Sequence, residues 1–187
     1  MNRLLKFAFL MCQRTIRSHD KDLDVIIELL QDSKVLWQLY LYDNQITLAD
    51  GKFVDALANN CTLWHLDLVS TKIGDEWVER LAAALKANQT LKVFDLSRNT
   101  IGDEGAKGIA GALVNNCLLK NIILANNKIG NSGARSLAAS LLVNKGLCKI
   151  QLENNNISDK RAKALFDVLR FNGTIEYMGL SENNIST

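Results

Sequence analysis

Sliding the sequence by 28 residues lays it onto itself. Leu63, Leu91, Leu119, Leu147 and Ile175 form one column, and Leu66, Phe94, Ile122, Ile150 and Met178 follow in step. The next columns read Leu68, Leu96, Leu124, Leu152, Leu180; Thr71, Asn99, Asn127, Asn155, Asn183; and Ile73, Ile101, Ile129, Ile157, Ile185. An earlier copy, Leu36, Leu39, Leu41, Asn44 and Ile46, fits once a single residue is deleted between Ile46 and Leu57. A fixed internal period constrains a fold strongly, because one supersecondary unit must then recur along the chain.

Each unit spells L-x-x-L-x-L-x-x-N-x-I and continues with apolar residues at i, i+3, i+4 and i+7, such as Ala106, Ile109, Ala110 and Leu113, or Ala134, Leu137, Ala138 and Leu141. The first half has a strand's period and the second a helix's. A lone strand-helix unit cannot bury its apolar side, so neighbours must stack. Strands pair at about 4.8 Å, whereas helices pack at about 8–10 Å, so the stack must curve. The predicted fold is α/β: a right-handed solenoid in a horseshoe arc, with a parallel sheet on the concave face and helices on the convex face. The Asn column belongs at the bend, where a short amide can bond unpaired backbone groups. Thr71 breaks it, which predicts that the second turn is the least well satisfied. Gly74, Gly102 and Gly130 are expected to supply close or positive-φ backbone. Asp75, Glu76, Asp103 and Glu104 fall where a helix N-terminus favours negative charge.

The pattern resembles the leucine-rich repeats, and its 28-residue form is similar to the ribonuclease-inhibitor-like subfamily, which includes repeats of nucleotide-binding immune receptors and of the Ran GTPase-activating protein. The resemblance covers residues 20–187 and speaks to fold far more than to function. GTPase activation would be its only enzyme-directed implication, and the functional loop residues of that family find no counterparts here.

With 22 basic and 20 acidic residues and a net charge of +2, no global field points to nucleic acid. No P-loop, metal-ligand spacing or readable triad is present, and no metal or cofactor is expected. The four cysteines, Cys12, Cys61, Cys117 and Cys148, show no paired spacing. Cys61 and Cys117 share a column two repeats apart, beyond disulfide reach, so free thiols and a reducing, cytoplasmic setting are expected. Proline is absent, unlike many extracellular repeats of the resembled kind. The N-x-S/T triplets at Asn60, Asn88, Asn156, Asn172 and Asn184 are generated by the repeat itself and are not read as glycosylation sites.

Three segments follow. Residues 1–19 form a basic amphipathic extension, with Arg3, Lys6, Arg14 and Arg17 opposite Leu4, Phe7, Ala8 and Met11. Such a start suits a terminal helix packing on the solenoid, a mitochondrial presequence or, through residues 1–18, a peripheral membrane contact. Residues 20–35 are expected to be a capping helix. Residues 36–187 hold five full repeats and a terminal strand, and no stretch is long enough to span a bilayer.

The surface is more informative than the chemistry. Trp37, Tyr40, Tyr42, Trp64 and His65 gather at the N-terminal end of the concave face, beside Asp67, Asp95 and Arg98. Exposed aromatics and Arg are residue types that anchor interfaces. Asp67 and Asp95, one repeat apart, read as an acidic patch for a basic partner; acid–base catalysis by the pair is the alternative. By register, Leu142, Val143, Val168 and Phe171 should form an apolar patch on the outer helices, and Leu180 and Ile185 an open edge. These expectations point to a protein-binding scaffold or adaptor within a hetero-oligomeric complex, with a recognition module or an enzyme activator as alternatives.

Overall fold

The computed structural model describes residues 21–44 and 51–186. The extension over residues 1–19 and the column member Ile46 lie outside the described residues. Helix α1 (Lys21–Asp32) precedes β1 (Gln38–Tyr40), and five further pairs of helix and strand follow: α2 (Lys52–Asn59), β2 (His65–Asp67), α3 (Asp75–Ala87), β3 (Val93–Asp95), α4 (Asp103–Leu113), β4 (Asn121–Ile123), α5 (Asn131–Val143), β5 (Lys149–Gln151), α6 (Asp159–Val168) and β6 (Tyr177–Gly179). The strands pair in parallel and in chain order as one six-stranded sheet. From β2 onward each step pairs residues 28 apart, as in His65 with Val93, whereas Gln38 pairs with His65 at 27. The single deletion read from the sequence therefore falls after β1.

The first five strands bury their central residues, Leu39, Leu66, Phe94, Ile122 and Ile150 in turn, and Met178 of β6 is partly buried. These residues meet the inner face of the helices, so one continuous core runs the length of the stack. Three ladders of polar side chains lock neighbouring repeats together. At the strand-side bend, Asn99, Asn127, Asn155 and Asn183 each donate to the leucine carbonyl of the preceding repeat, at 2.8–3.0 Å, and to carbonyls of their own repeat. Their Oδ1 atoms accept the N–H of Ile73, Ile101, Ile129 and Ile157 in the preceding repeat.

The second ladder runs along the helix ends. Asn60, Asn88, Asn116, Asn144 and Asn172 are all buried. Each donates to the carbonyl of a leucine near the C-terminus of the preceding helix, from Leu30 to Leu141. The column also explains three of the glycosylation-like triplets, since the amides of Asn60, Asn88 and Asn172 are committed inside the fold; Asn156 and Asn184 remain exposed.

In the third ladder an acid at the start of one helix caps the next. Asp75 Oδ1 accepts from Gly102 N–H at 2.6 Å, and Asp103 Oδ1 accepts from Gly130 and Gly133 N–H, both at 2.8 Å. Asp159 does the same for Ser186, whose backbone and hydroxyl donate to it. These bonds hold the Asp159 carboxyl below its ordinary pKa. The negative charge at the helix starts thus serves the following helix through directed hydrogen bonds as well as its own dipole.

Two expectations are revised. Gly74, Gly102 and Gly130 have negative φ; left-handed backbone falls instead on Asp43, Ser70, Arg98, Asn126, Asn154 and Glu182, one place before the bend column, and on Lys72, one place after it. Close approach is the reason for glycine here: a Cβ on Gly102 would stand 2.9 Å from Asp75 Oδ2. Nor is the Thr71 turn poorly satisfied. Its hydroxyl donates to Leu68 O at 2.7 Å, and Asn99 Oδ1 accepts both Thr71 and Ile73 N–H at 3.0 Å. What Thr71 lacks is an amide to reach back to Leu41. Thr71→Asn should add that rung and raise the unfolding free energy by about 1 kcal/mol, measurable as a higher urea midpoint at unchanged m-value.

Candidate protein interface

Among the described residues no element covers one face of the six-stranded sheet, and its N-terminal end is aromatic and acidic. Trp37 and Trp64 stand immediately before their strands, where the carbonyl of Trp37 accepts the N–H of both Trp64 and His65 (2.9 and 3.2 Å). This doubled bond turns the indole of each outward at the rim: Trp37 is 63% exposed and Trp64 36%. Lys92 and Lys120 continue the same column. The ring of His65 lies 5.0 Å from that of Tyr40, at the end of β1, and 5.6 Å from that of Trp64, so three rings stand in series.

Directly beside them, Tyr40 pairs with Asp67 and Asp67 with Asp95 across neighbouring strands. Like charges placed opposite each other repel. Partial burial is the largest cause that raises the Asp67 pKa, and Asp95 adds to it, while the Val69 N–H and His65 work the other way. Asp67 Oδ1 accepts from Val69 N–H at 2.9 Å, and Asp95 Oδ1 from the Ser97 N–H and hydroxyl at 2.9 and 2.7 Å. Both carboxylates are held in place through Oδ1 by backbone or hydroxyl groups two residues on.

The structure thus brings together Tyr40, Trp64, His65, Asp67 and Asp95. Trp37 adjoins them at the rim. Tyr42 and Arg98 are exposed but lie past the other end of the strands, where Arg98 takes a left-handed φ of 55°.

The expected apolar patches are corrected in two places. Val168 is 3% exposed and belongs to the core, in the column of Ala84, Ala112 and Ser140 that faces inward. Leu180 is 7% exposed and Ile185 half-buried, because each strand half packs onto the repeat before it. Leu142, Val143 and Phe171 are exposed as expected. The sequence reading missed Phe166 on α6 and Leu169 just past its end, 49% and 38% exposed. Phe166 stands where earlier repeats carry Ala82, Ala110 and Ala138, a departure that could have drawn notice. Tyr177, also exposed, donates to Glu153 Oε1 at 3.0 Å, and that bond raises the phenol's pKa.

On the convex side a groove between α3 and α4 is floored by Gly108 and Gly111 and walled by Asp75, Glu79, Lys86 and Lys107. Among the described residues no cluster of three or more His, Cys, Asp or Glu is placed to hold a metal, and no helix is long and apolar enough to cross a membrane. Cys61, Cys117 and Cys148 are free thiols.

A parallel sheet in chain order, backed by one helix per strand and bonded between repeats by columns of asparagine, defines a strand-helix repeat solenoid. The chain carries leucine-rich repeats: the family described as "Leucine Rich repeat" matches residues 59–82, 87–110 and 115–138. No curated protein matches it. Among solved structures it is similar to leiomodin-1 actin-binding site 2, with 21% identity, a TM-score of 0.71 and coverage of 81% of this chain and 90% of that one. It is also similar to the tropomodulin C-terminal domain of Caenorhabditis elegans (14%, 0.58, covering 86% and 83%). A third likeness is to an internalin of Listeria monocytogenes (20%, 0.54, covering 89% and 46%). At these identities the likeness establishes the fold.

Proposed function

We propose that the chain is a protein-binding scaffold or adaptor, a small structural subunit of a larger intracellular assembly, that engages a basic segment of a protein partner on the N-terminal end of its concave sheet. The observation that carries this is the series Trp64, His65 and Tyr40 running into the paired carboxylates Asp67 and Asp95 on a sheet face that no other described element covers. A Lys or Arg side chain fits there twice over, its cation against the rings and against carboxylates whose mutual repulsion it relieves. Solenoids bind through such extended concave surfaces. Leiomodin-1, whose similar structure is named for an actin-binding site, is a precedent for protein binding by a solenoid of this size and names no partner for this chain.

The test begins with the native size of the full chain in an extract. Elution in a large particle supports the subunit reading, and elution near 20.8 kDa sinks it. With a co-eluting partner in hand, Asp67→Asn combined with Asp95→Asn is expected to weaken binding at least about tenfold, or about 1.4 kcal/mol. Wild-type affinity should also fall with added salt. It should decline again on acidification, with Asp67 losing its charge at a higher pH than an ordinary carboxylate because its pKa is raised. Binding that ignores both the substitutions and the salt excludes the concave site.

A further inference from the structure

The helix row ends on a surface that the interior of the molecule shows how to fill. Ala82, Ala110 and Ala138 face the following helix and are 5%, 4% and 6% exposed, whereas Phe166, their equivalent on α6, is 49% exposed. Leu85, Leu113 and Leu141 are fully covered, whereas Leu169 is 38% exposed. Among the described residues no helix follows α6. Phe166 lies on its open flank, with Leu169 and Arg170 just past its end; Lys163 pairs with Asp167 at 3.6 Å, and Lys160 and Arg161 follow Asp159 in the first turn.

The interior interfaces also specify which positions meet. A Cβ on Gly108 of α4 would lie 3.8 Å from the Ala82 Cβ of α3. Lys86 of α3 lines the same groove as Gly111 of α4. The helix-end asparagines fix the equivalences along the row, since Asn60, Asn88 and Asn116 reach back to Leu30, Leu57 and Leu85 in turn. By that register Ala82 corresponds to Phe166 and Lys86 to Arg170, while Gly108 corresponds to Val25 and Gly111 to Glu28 on α1.

Val25 is half-buried and Glu28 exposed. Helix α1 is the acidic one of the pair, with Asp24, Glu28 and Asp32 exposed along it. The flank of α6 and the leading flank of α1 are therefore opposite in charge, and each carries an apolar residue at the position that the interior register brings into contact.

We propose that copies of this chain associate head to tail, the open flank of α6 in one copy docking on the leading flank of α1 in the next. Phe166 packs on Val25 of the second copy, and Arg170 pairs with its Glu28. These side chains are larger than the interior Ala–Gly pair, so the two helices stand at the wide end of the usual 8–10 Å range. The edge strands β6 and β1 face each other in the same parallel sense as every interior pair. A contact of this kind joins two different surfaces, so each added copy presents a new free end. Growth is open-ended unless the curvature closes it into a ring.

Sedimentation velocity of the 187-residue chain, from low to high micromolar concentration, tests the proposal. The weight-average mass should climb beyond the dimer. Phe166→Asp, at an exposed site that leaves the far-UV circular dichroism unchanged, should hold the mass at 20.8 kDa. Arg170→Glu and Glu28→Arg should each do the same, and mixing those two variants should restore growth, because the reversed charges pair again. A monomer at every concentration overturns the proposal. So does a mass that stops at the dimer and ignores Glu28→Arg, the signature of α6 meeting α6. Neither result bears on the concave site, which has its own carboxylate test.

Discussion

Alanine at position 144 is expected to lower the unfolding free energy by about 3–5 kcal/mol, the largest loss for any polar side chain in this chain. Asn144 is completely buried. Its amide donates to Leu113 O at 2.6 Å and to Asn116 O at 2.8 Å, and its Oδ1 accepts the N–H groups of Gly146 and Leu147 at 2.9 and 2.8 Å. Removing one side chain strands four backbone groups at once, each worth roughly 1–3 kcal/mol when left buried and unpaired, less whatever water can reach. Urea denaturation of Asn144→Ala against Asn60→Ala is the informative comparison. Asn60 reaches back to the single carbonyl of Leu30 and accepts the N–H groups of Thr62 and Leu63, three groups in place of four, near the first end of the stack, and should cost less. Equal and small losses would mean that the ladder is incidental to stability.

Phe94→Ala is expected to cost about 3–5 kcal/mol by the usual cost of emptying an aromatic core site. Phe94 is 1% exposed at the centre of the middle strands, and it is the only ring in a column otherwise filled by leucine, isoleucine and methionine. Phe94→Leu, which restores the column's commoner shape, should cost less than about 1.5 kcal/mol. Since each repeat contacts its neighbours alone, a deep cavity in the third strand should also loosen cooperation between the two halves. Hydrogen exchange would then show α1 to β2 and α5 to β6 opening at different free energies in the alanine variant and together in the wild type.

The period made most of the fold legible. A leucine every 28 residues fixes where strands lie, and the switch from period two to period 3.6 fixes where helices begin. The asparagines at the bend were legible as loop ligands, but their reach into the preceding repeat was not, because a one-dimensional pattern does not say which neighbour a side chain faces. The helix-end asparagines were equally periodic and were overlooked, since Asn60, Asn88 and Asn172 also spell glycosylation triplets and drew attention to the wrong chemistry. Val168 was misplaced for a different reason: its column holds alanine and serine, which carry little hydrophobic signal, so its inward face had to be guessed. The concave cluster was readable as a list of exposed aromatics and acids. The ring-to-ring contacts of Tyr40, His65 and Trp64 depend on rim geometry that only the fold supplies.

The ladders have a direction, and that direction bears on how the chain is made. From Asn99 onward the amide that satisfies the earlier repeat's leucine carbonyl belongs to the later repeat, as does the oxygen that takes its isoleucine N–H, and the later repeat's backbone meets the helix-start acids Asp75, Asp103 and Asp159. A repeat emerging from the ribosome is therefore unfinished until its successor has followed it out. Folding during synthesis should trail elongation by about one unit, each repeat completed by the next, with the newest one always the part that is still soft.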